Sequence, residues 1–175
     1  MNDHTSTSVT TGLGTCLWFD GTALEAAELY TSLITNSRIT QVSRWTSDMA
    51  AGVAGEVMTV LFELDGRPYR ALNGGPGITP SEASSFDLTV ETQEEIDRYV
   101  AALTADGGEV GPCGWLKDRF GFSWQVVPTA MGELSADPDP AVAAAVINAM
   151  LGMHKIDVAA LHAAADAARK EGAAR

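Results

Sequence analysis

The chain has 175 residues, 46% of them hydrophobic, and a formal net charge of −12. This length suits one domain, or two small repeated modules sharing a core. The negative charge argues against a nucleic-acid partner, which needs clustered cations against phosphate. The apolar runs are too short to span a bilayer, so no membrane partner is expected.

Residues 1–14 are rich in Ser and Thr and carry neither an apolar stretch nor a basic start. They read as a disordered tail, not as a signal peptide or lipidation site. Cys16 and Cys113 fit neither a disulfide framework nor a zinc spacing, and both read as reduced structural residues. Together these features point to the cytoplasm.

Thr15 to Phe19 reads as a strand. Leu24, Ala27, Tyr30 and Leu33 then recur at helical spacing. Arg38 to Trp45 returns as a strand, Asp48 to Gly55 as a loop, and Glu56 to Leu64 as a strand closed by the hairpin signal Asp65-Gly66. Arg67 to Leu72 is its partner, stopped by Asn73-Gly74-Gly75-Pro76-Gly77. A second unit opens where Phe86, Leu88 and Val90 alternate with Asp87 and Thr89. Thr92 and Glu95 make a capping box for a helix to about Ala105. Glu109 to Trp115 and Leu116 to Phe120 are weaker strands, and Ser123 to Val127 is a clear one.

Strand, helix and about three strands thus occur twice, as modules at about 15–77 and 81–129 of one domain, residues 15–129. Each module alone would expose one sheet face, and two side by side enclose a cleft. Residues 130–175 read as a helical extension. Asp139 and Pro140 start one helix, with Val142, Val146, Met150 and Met153 on a stripe, and a second helix runs over about Val158 to Arg169.

Several segments resemble the PhnB-like family of the vicinal-oxygen-chelate superfamily, also called the glyoxalase and bleomycin-resistance superfamily. They are Cys16 to Gly21, Phe62 to Gly66, Ala71 to Pro76, Cys113 to Gly121 and Ser123 to Pro128, with Met150-Leu151 and Lys155-Ile156-Asp157 in the tail. The resemblance covers roughly residues 15 to 162. It implies an α+β fold of paired βαβββ modules forming an open vicinal-oxygen-chelate barrel, here with a C-terminal helical extension. It implies a homodimer. It also brings a description, 3-demethylubiquinone-9 3-methyltransferase. Methyl transfer from S-adenosylmethionine usually needs a nucleoside pocket, often at a Gly-rich turn between strand and helix. Asp20-Gly21 is too short for one, and Asn73 to Gly77 is followed by prolines instead of a helix.

Metal-dependent relatives in the superfamily use His or Glu on the first and last strands of the modules. Matching by strand and helix spacing puts Thr15, Ser85 and Gln125 at three of those positions, and hydroxyls and an amide are poor ligands for a transition metal. His4, His154 and His162 all fall outside the strands. Glu63, Asp87 and Asp118 are the carboxylates that could serve a harder ion such as magnesium. The expectation is therefore no metal and no cofactor.

The expected ligand-binding set is Thr15, Leu17 and Phe19 on the first strand, Asn73 just after the fourth, Ser85 and Asp87 on the fifth, Trp115, and Gln125 on the last, lining a cleft for a small polar organic ligand. The alternative is that these groups satisfy each other or water. An enzyme of glyoxalase or dioxygenase type with an atypical metal site, or the methyl transfer named by the family, are the other readings. Trp115 to Arg119 reads either as a clamp, with Lys117 or Arg119 holding an anion, or as a turn shaped by Asp118 before Gly121.

Overall fold

The structure is a computed structural model, and it describes residues 12–174. The tail expected over residues 1–14, and His4 with it, lies outside the described residues up to position 11. Gly12 to Gly14 lead, exposed, into the first strand. The described residues divide into two compact units, one up to Ile78 and one from Thr79. The helical extension belongs to the second.

The first unit runs β1 (Thr15–Phe19), α1 (Ala23–Leu33), β2 (Arg38–Arg44), β3 (Val57–Leu64) and β4 (Arg67–Asn73). Its sheet has the order β1-β4-β3-β2, with β1 and β4 parallel. β3 and β4 are joined by Asp65-Gly66. Both residues have positive φ (48° and 71°), as a two-residue turn matching strand twist demands.

Helix α1 buries Ala23, Ala26, Ala27 and Tyr30. The expected stripe through Leu24 and Leu33 is rotated, and those leucines are only half-buried. Alanines at the contact let the helix lie close on the sheet, and Tyr30, fully buried, fills the remaining space.

The second unit repeats the plan with β5 (Ser85–Val90), α2 (Gln93–Leu103), β6 (Glu109–Val110), β7 (Trp115–Lys117) and β8 (Ser123–Pro128). Its order is β5-β8-β7-β6, with β5 and β8 parallel. The layout repeat is thus a repeat of topology: two βαβββ modules, each a four-stranded sheet with its helix. The Thr92 and Glu95 capping box is present. The segment from Glu109 to Phe120 is less regular than expected. Pro112 has no N–H to donate, and Cys113 and Gly114 both take positive φ (57° and 82°), so a turn separates two short strands.

The extension comprises α3 (Thr129–Ser135), α4 (Pro140–Leu151) and α5 (Val158–Ala173). The first of these was not foreseen. Asp139 caps α4, and Asp157 caps α5. Val142 and Val146 are fully buried, so much of the expected stripe packs within the chain. The link between α4 and α5 is tied into the module. Cys113 N donates to Met153 O and Gly114 N to His154 O, both at 2.7 Å. Gln93 donates to Ile156 O and accepts from Val158 N. Lys155 pairs with Asp97 at 2.6 Å, and the ammonium's hydrogen bond holds that carboxyl below its ordinary range. The Arg169 guanidinium does the same to Asp137. Carboxyls with lowered values favour the folded state above their unfolded pKa, and this contribution is lost as pH falls through the folded one.

Ile156 is 1% exposed and touches the Cys113-Gly114 turn, whereas Leu151 is 60% exposed. Ile156→Ala is expected to cost about 2–5 kcal/mol of unfolding free energy. Leu151→Ala should stay within about 0.5 kcal/mol. Urea unfolding of both variants checks this, and equal losses would contradict the anchoring role.

Candidate functional site

Residues paired across a sheet share a face. In the first unit Phe19 pairs with Asn73, and Leu17 with Ala71. The Asn73 side chain accepts a hydrogen bond from Ala23 N, the first residue of α1, at 3.0 Å, and donates to Val57 O at 2.9 Å. It therefore points to the helix side. Leu17, Phe19 and Asn73, 8%, 4% and 5% exposed, lie on that face as core and as the anchor of the helix start. Their expected role as ligand-binding residues does not fit this placement. Thr15 shares their strand phase but is exposed at the strand's beginning. The opposite face carries Cys16, Trp18, Leu61, Glu63, Arg70 and Leu72, with Glu63 paired to Arg38 at 2.8 Å.

In the second unit the expected residues do come together. Phe86, stacked on Trp124 at 4.1 Å between ring centroids, lies with Leu88, Val90, Val126 and Leu116 on the face covered by α2. The open face is a small grid. Trp115, Gln125 and Asp87 form one row across β7, β8 and β5, and Lys117, Ser123 and Ser85 form the next. Glu109 extends the second row on β6. Gln125 Nε2 donates to Ser85 Oγ at 2.9 Å, so two of the expected groups partly satisfy each other.

A pocket of about 360 Å³ opens beside this grid, lined by Trp115, Leu116, Lys117, Ser123, Glu109 and Glu82 with Val110, Gly111 and Pro112. That volume is in the range of small-molecule sites. Glu82 and Glu109 were not anticipated. Glu82 precedes the strand, and Glu109 sits on a two-residue strand with no alternation to read.

Asp118 settles the reading of its segment as a turn. Its Oδ1 accepts from Phe120 N at 2.9 Å and Phe122 N at 3.0 Å, and its Oδ2 accepts from Trp124 Nε1 at 2.9 Å. The carboxylate, 2% exposed, closes the loop between β7 and β8 and ties it to the buried tryptophan. Arg119 pairs with Asp106 at 3.3 Å and lies over the Phe120 ring. Lys117 alone of the two cations lines the pocket.

A family model described as 3-demethylubiquinone-9 3-methyltransferase matches residues 11–127. The chain belongs to this family. It is the PhnB-like branch of the vicinal-oxygen-chelate superfamily, as the motifs implied. A solved PhnB protein from Bacillus cereus, provisionally given the same methyltransferase description, is 32% identical. That match covers 68% of this chain and 100% of that one, with a TM-score of 0.59. Protein PA1353 from Pseudomonas aeruginosa is 20% identical over 68% of this chain and 98% of its own, with a TM-score of 0.49. The fosfomycin resistance protein FosX from Mesorhizobium loti is 11% identical over 68% and 91%, with a TM-score of 0.46. No curated protein matches.

The groups that the family and superfamily imply can be tested on these residues. Among the described residues, no three His, Cys, Asp or Glu side chains are placed to hold a metal ion. Asp118 is committed to its turn and Glu63 to Arg38. The donor set does not fit a transition metal. A nucleoside-bearing methyl donor fits no better at the strand-to-helix turns. In the first, Asn73 takes the Ala23 N–H; in the second, Thr92 and Glu95 cap α2. Gly74 and Gly75, directly after β4, are closed on Trp18, whose indole donates to Gly75 O at 2.9 Å and leaves no room for a Cβ at Gly74.

Protein purified without chelator is accordingly expected to hold well under one equivalent of any transition metal, and its melting temperature should not change when chelator is added. Elemental analysis with a thermal melt checks this. Stoichiometric metal with destabilisation on chelation would contradict it.

Proposed function

We propose that this protein binds a small polar organic ligand on the open face of its second module, without a transition metal. The observation that supports the reading best is the grid of Ser85, Asp87, Trp115 and Gln125, four side chains of three strands on the face that α2 leaves uncovered, beside a pocket of suitable volume. An uncovered sheet face made only for solvation needs no half-buried tryptophan and no interlocked amide and hydroxyl. Here Gln125 is held by Ser85 and is thereby oriented for a ligand. The protein acts in the cytoplasm, a reading supported by its two free cysteines, Cys16 and Cys113. It works as a homodimer. Ile147 and Leu151, one turn apart on α4, are 40% and 60% exposed and supply an apolar strip for a partner copy.

A thermal-shift screen of small polar organic molecules should give stabilising hits with the native chain. Gln125→Leu should lose those hits while retaining a cooperative melt, since an amide exchanged for an apolar group of similar size is often tolerated. Hits that persist in the variant would refute the proposed face. For the assembly, sedimentation at micromolar concentration should report a dimer, and a monomer throughout would refute that part.

A further inference from the structure

We infer that the pocket of the second unit takes a monocarboxylate attached to a flat apolar body, with Lys117 and Ser123 at the carboxylate and Trp115 against the body. This rests on the ligand-binding reading above and names its ligand class.

Ser123 carries the first part. It is 4% exposed and lines the pocket, and its hydroxyl has no hydrogen-bond partner among the described residues. Its oxygen is not one of the fully buried unpaired polar atoms, so the hydroxyl opens toward the pocket and can bond a group that enters there.

Lys117 is the registered neighbour of Ser123 across β7 and β8. Its ammonium is held only loosely, 3.9 Å from a Glu82 carboxylate that is itself 75% exposed. An N–H donor and an O–H donor side by side suit two acceptor oxygens on one group. Such a group displaces Glu82 from Lys117.

Charge decides between acceptor classes. Glu82 and Glu109 both line the pocket, against the single cation Lys117. A doubly charged phosphate or phosphonate would meet two like charges there, whereas a carboxylate brings one negative charge. Trp115 lies two residues from Lys117 on the same strand face, roughly 6–7 Å away along the strand. That offset places an aromatic wall where a ring one or two bonds from the carboxylate would lie.

The test uses the full-length protein, labelled with ¹⁵N, and four probes: phenylacetate, phenylacetamide, benzylphosphonate and phenethylammonium. Binding is read at the Trp115 indole N–H resonance, assigned by its loss in Trp115→Phe. Phenylacetate should shift it saturably. The neutral amide should bind about tenfold or more weaker, the size of a charged hydrogen bond, and Lys117→Met should weaken phenylacetate by a similar factor. Glu82→Gln should strengthen phenylacetate about two- to fivefold, because it removes an exposed competitor for Lys117. Lys117 and Glu82 are both on the surface, and near-UV circular dichroism confirms that the variants are folded. If the amide or the ammonium binds as well as phenylacetate, or Lys117→Met changes nothing, the carboxylate assignment is overturned while a ligand site at Trp115 stands. Tighter binding of benzylphosphonate overturns the choice of a single charge. If no probe gives a saturable shift, the inference falls, while the ligand-binding reading stands or falls on the thermal-shift screen.

Discussion

In each module the first strand lies parallel to the last, β1 beside β4 and β5 beside β8. Parallel neighbours cannot be joined by a tight turn, so the chain must leave the sheet and cross over before it returns. The crossover carries a helix, and a single helix covers only one face of a four-stranded sheet. Core formation and site formation are therefore decided together. The covered face takes Leu17, Phe19, Val60, Phe62 and Ala71 in one unit and Leu116, Trp124 and Val126 in the other. The other face of the first sheet mixes Trp18, Leu61 and Leu72 with Glu63 and Arg70, and that of the second is left with mainly polar side chains and Trp115.

This division explains why chemistry in the second unit gathers on Ser85, Asp87, Trp115, Lys117, Ser123 and Gln125. The β5–β8–β7 register lines them up in rows, and register is kept because a slip by one residue would turn Trp124 and Val126 out of the core. Asp118 reinforces it by fixing the loop between β7 and β8 while bonding the Trp124 indole. On the other side of β7, the link between α4 and α5 holds the Cys113-Gly114 turn through Met153 and His154. Trp115 is thus anchored from both ends, and the helical extension contributes to the shape of the pocket.

Much of this was legible in the residues. Ser85-Phe86-Asp87-Leu88-Thr89-Val90 alternates polar and apolar without ambiguity, and its apolar phase lies under α2 as expected. The first strand does not alternate in that way: Leu17 and Phe19 are apolar in one phase, and Cys16 and Trp18 in the other. Periodicity shows two faces there but cannot say which lies under α1. Asn73 is decided by a hydrogen bond to Ala23, fifty positions away in the chain, which no local pattern reveals. Residues 109–120 were hard to divide because β6 and β7 are too short to show a period, and the positive φ of Cys113 departs from the usual preference of a non-glycine residue. The α3 helix was missed because it is 7 residues long and buries only Ala130 and Leu134.

The central claim is that the open face of the second module is the surface this protein presents to small molecules. Crystals of the protein soaked separately in a series of small organic solvents and fragments would test it most directly, since such probes collect where a surface is concave and its polar groups are incompletely satisfied. The account predicts that they superimpose between Trp115, Lys117 and Ser123. Probes that instead gather elsewhere, on the Trp18 face of the first unit or along α4, and leave the Trp115 pocket bare, would contradict it.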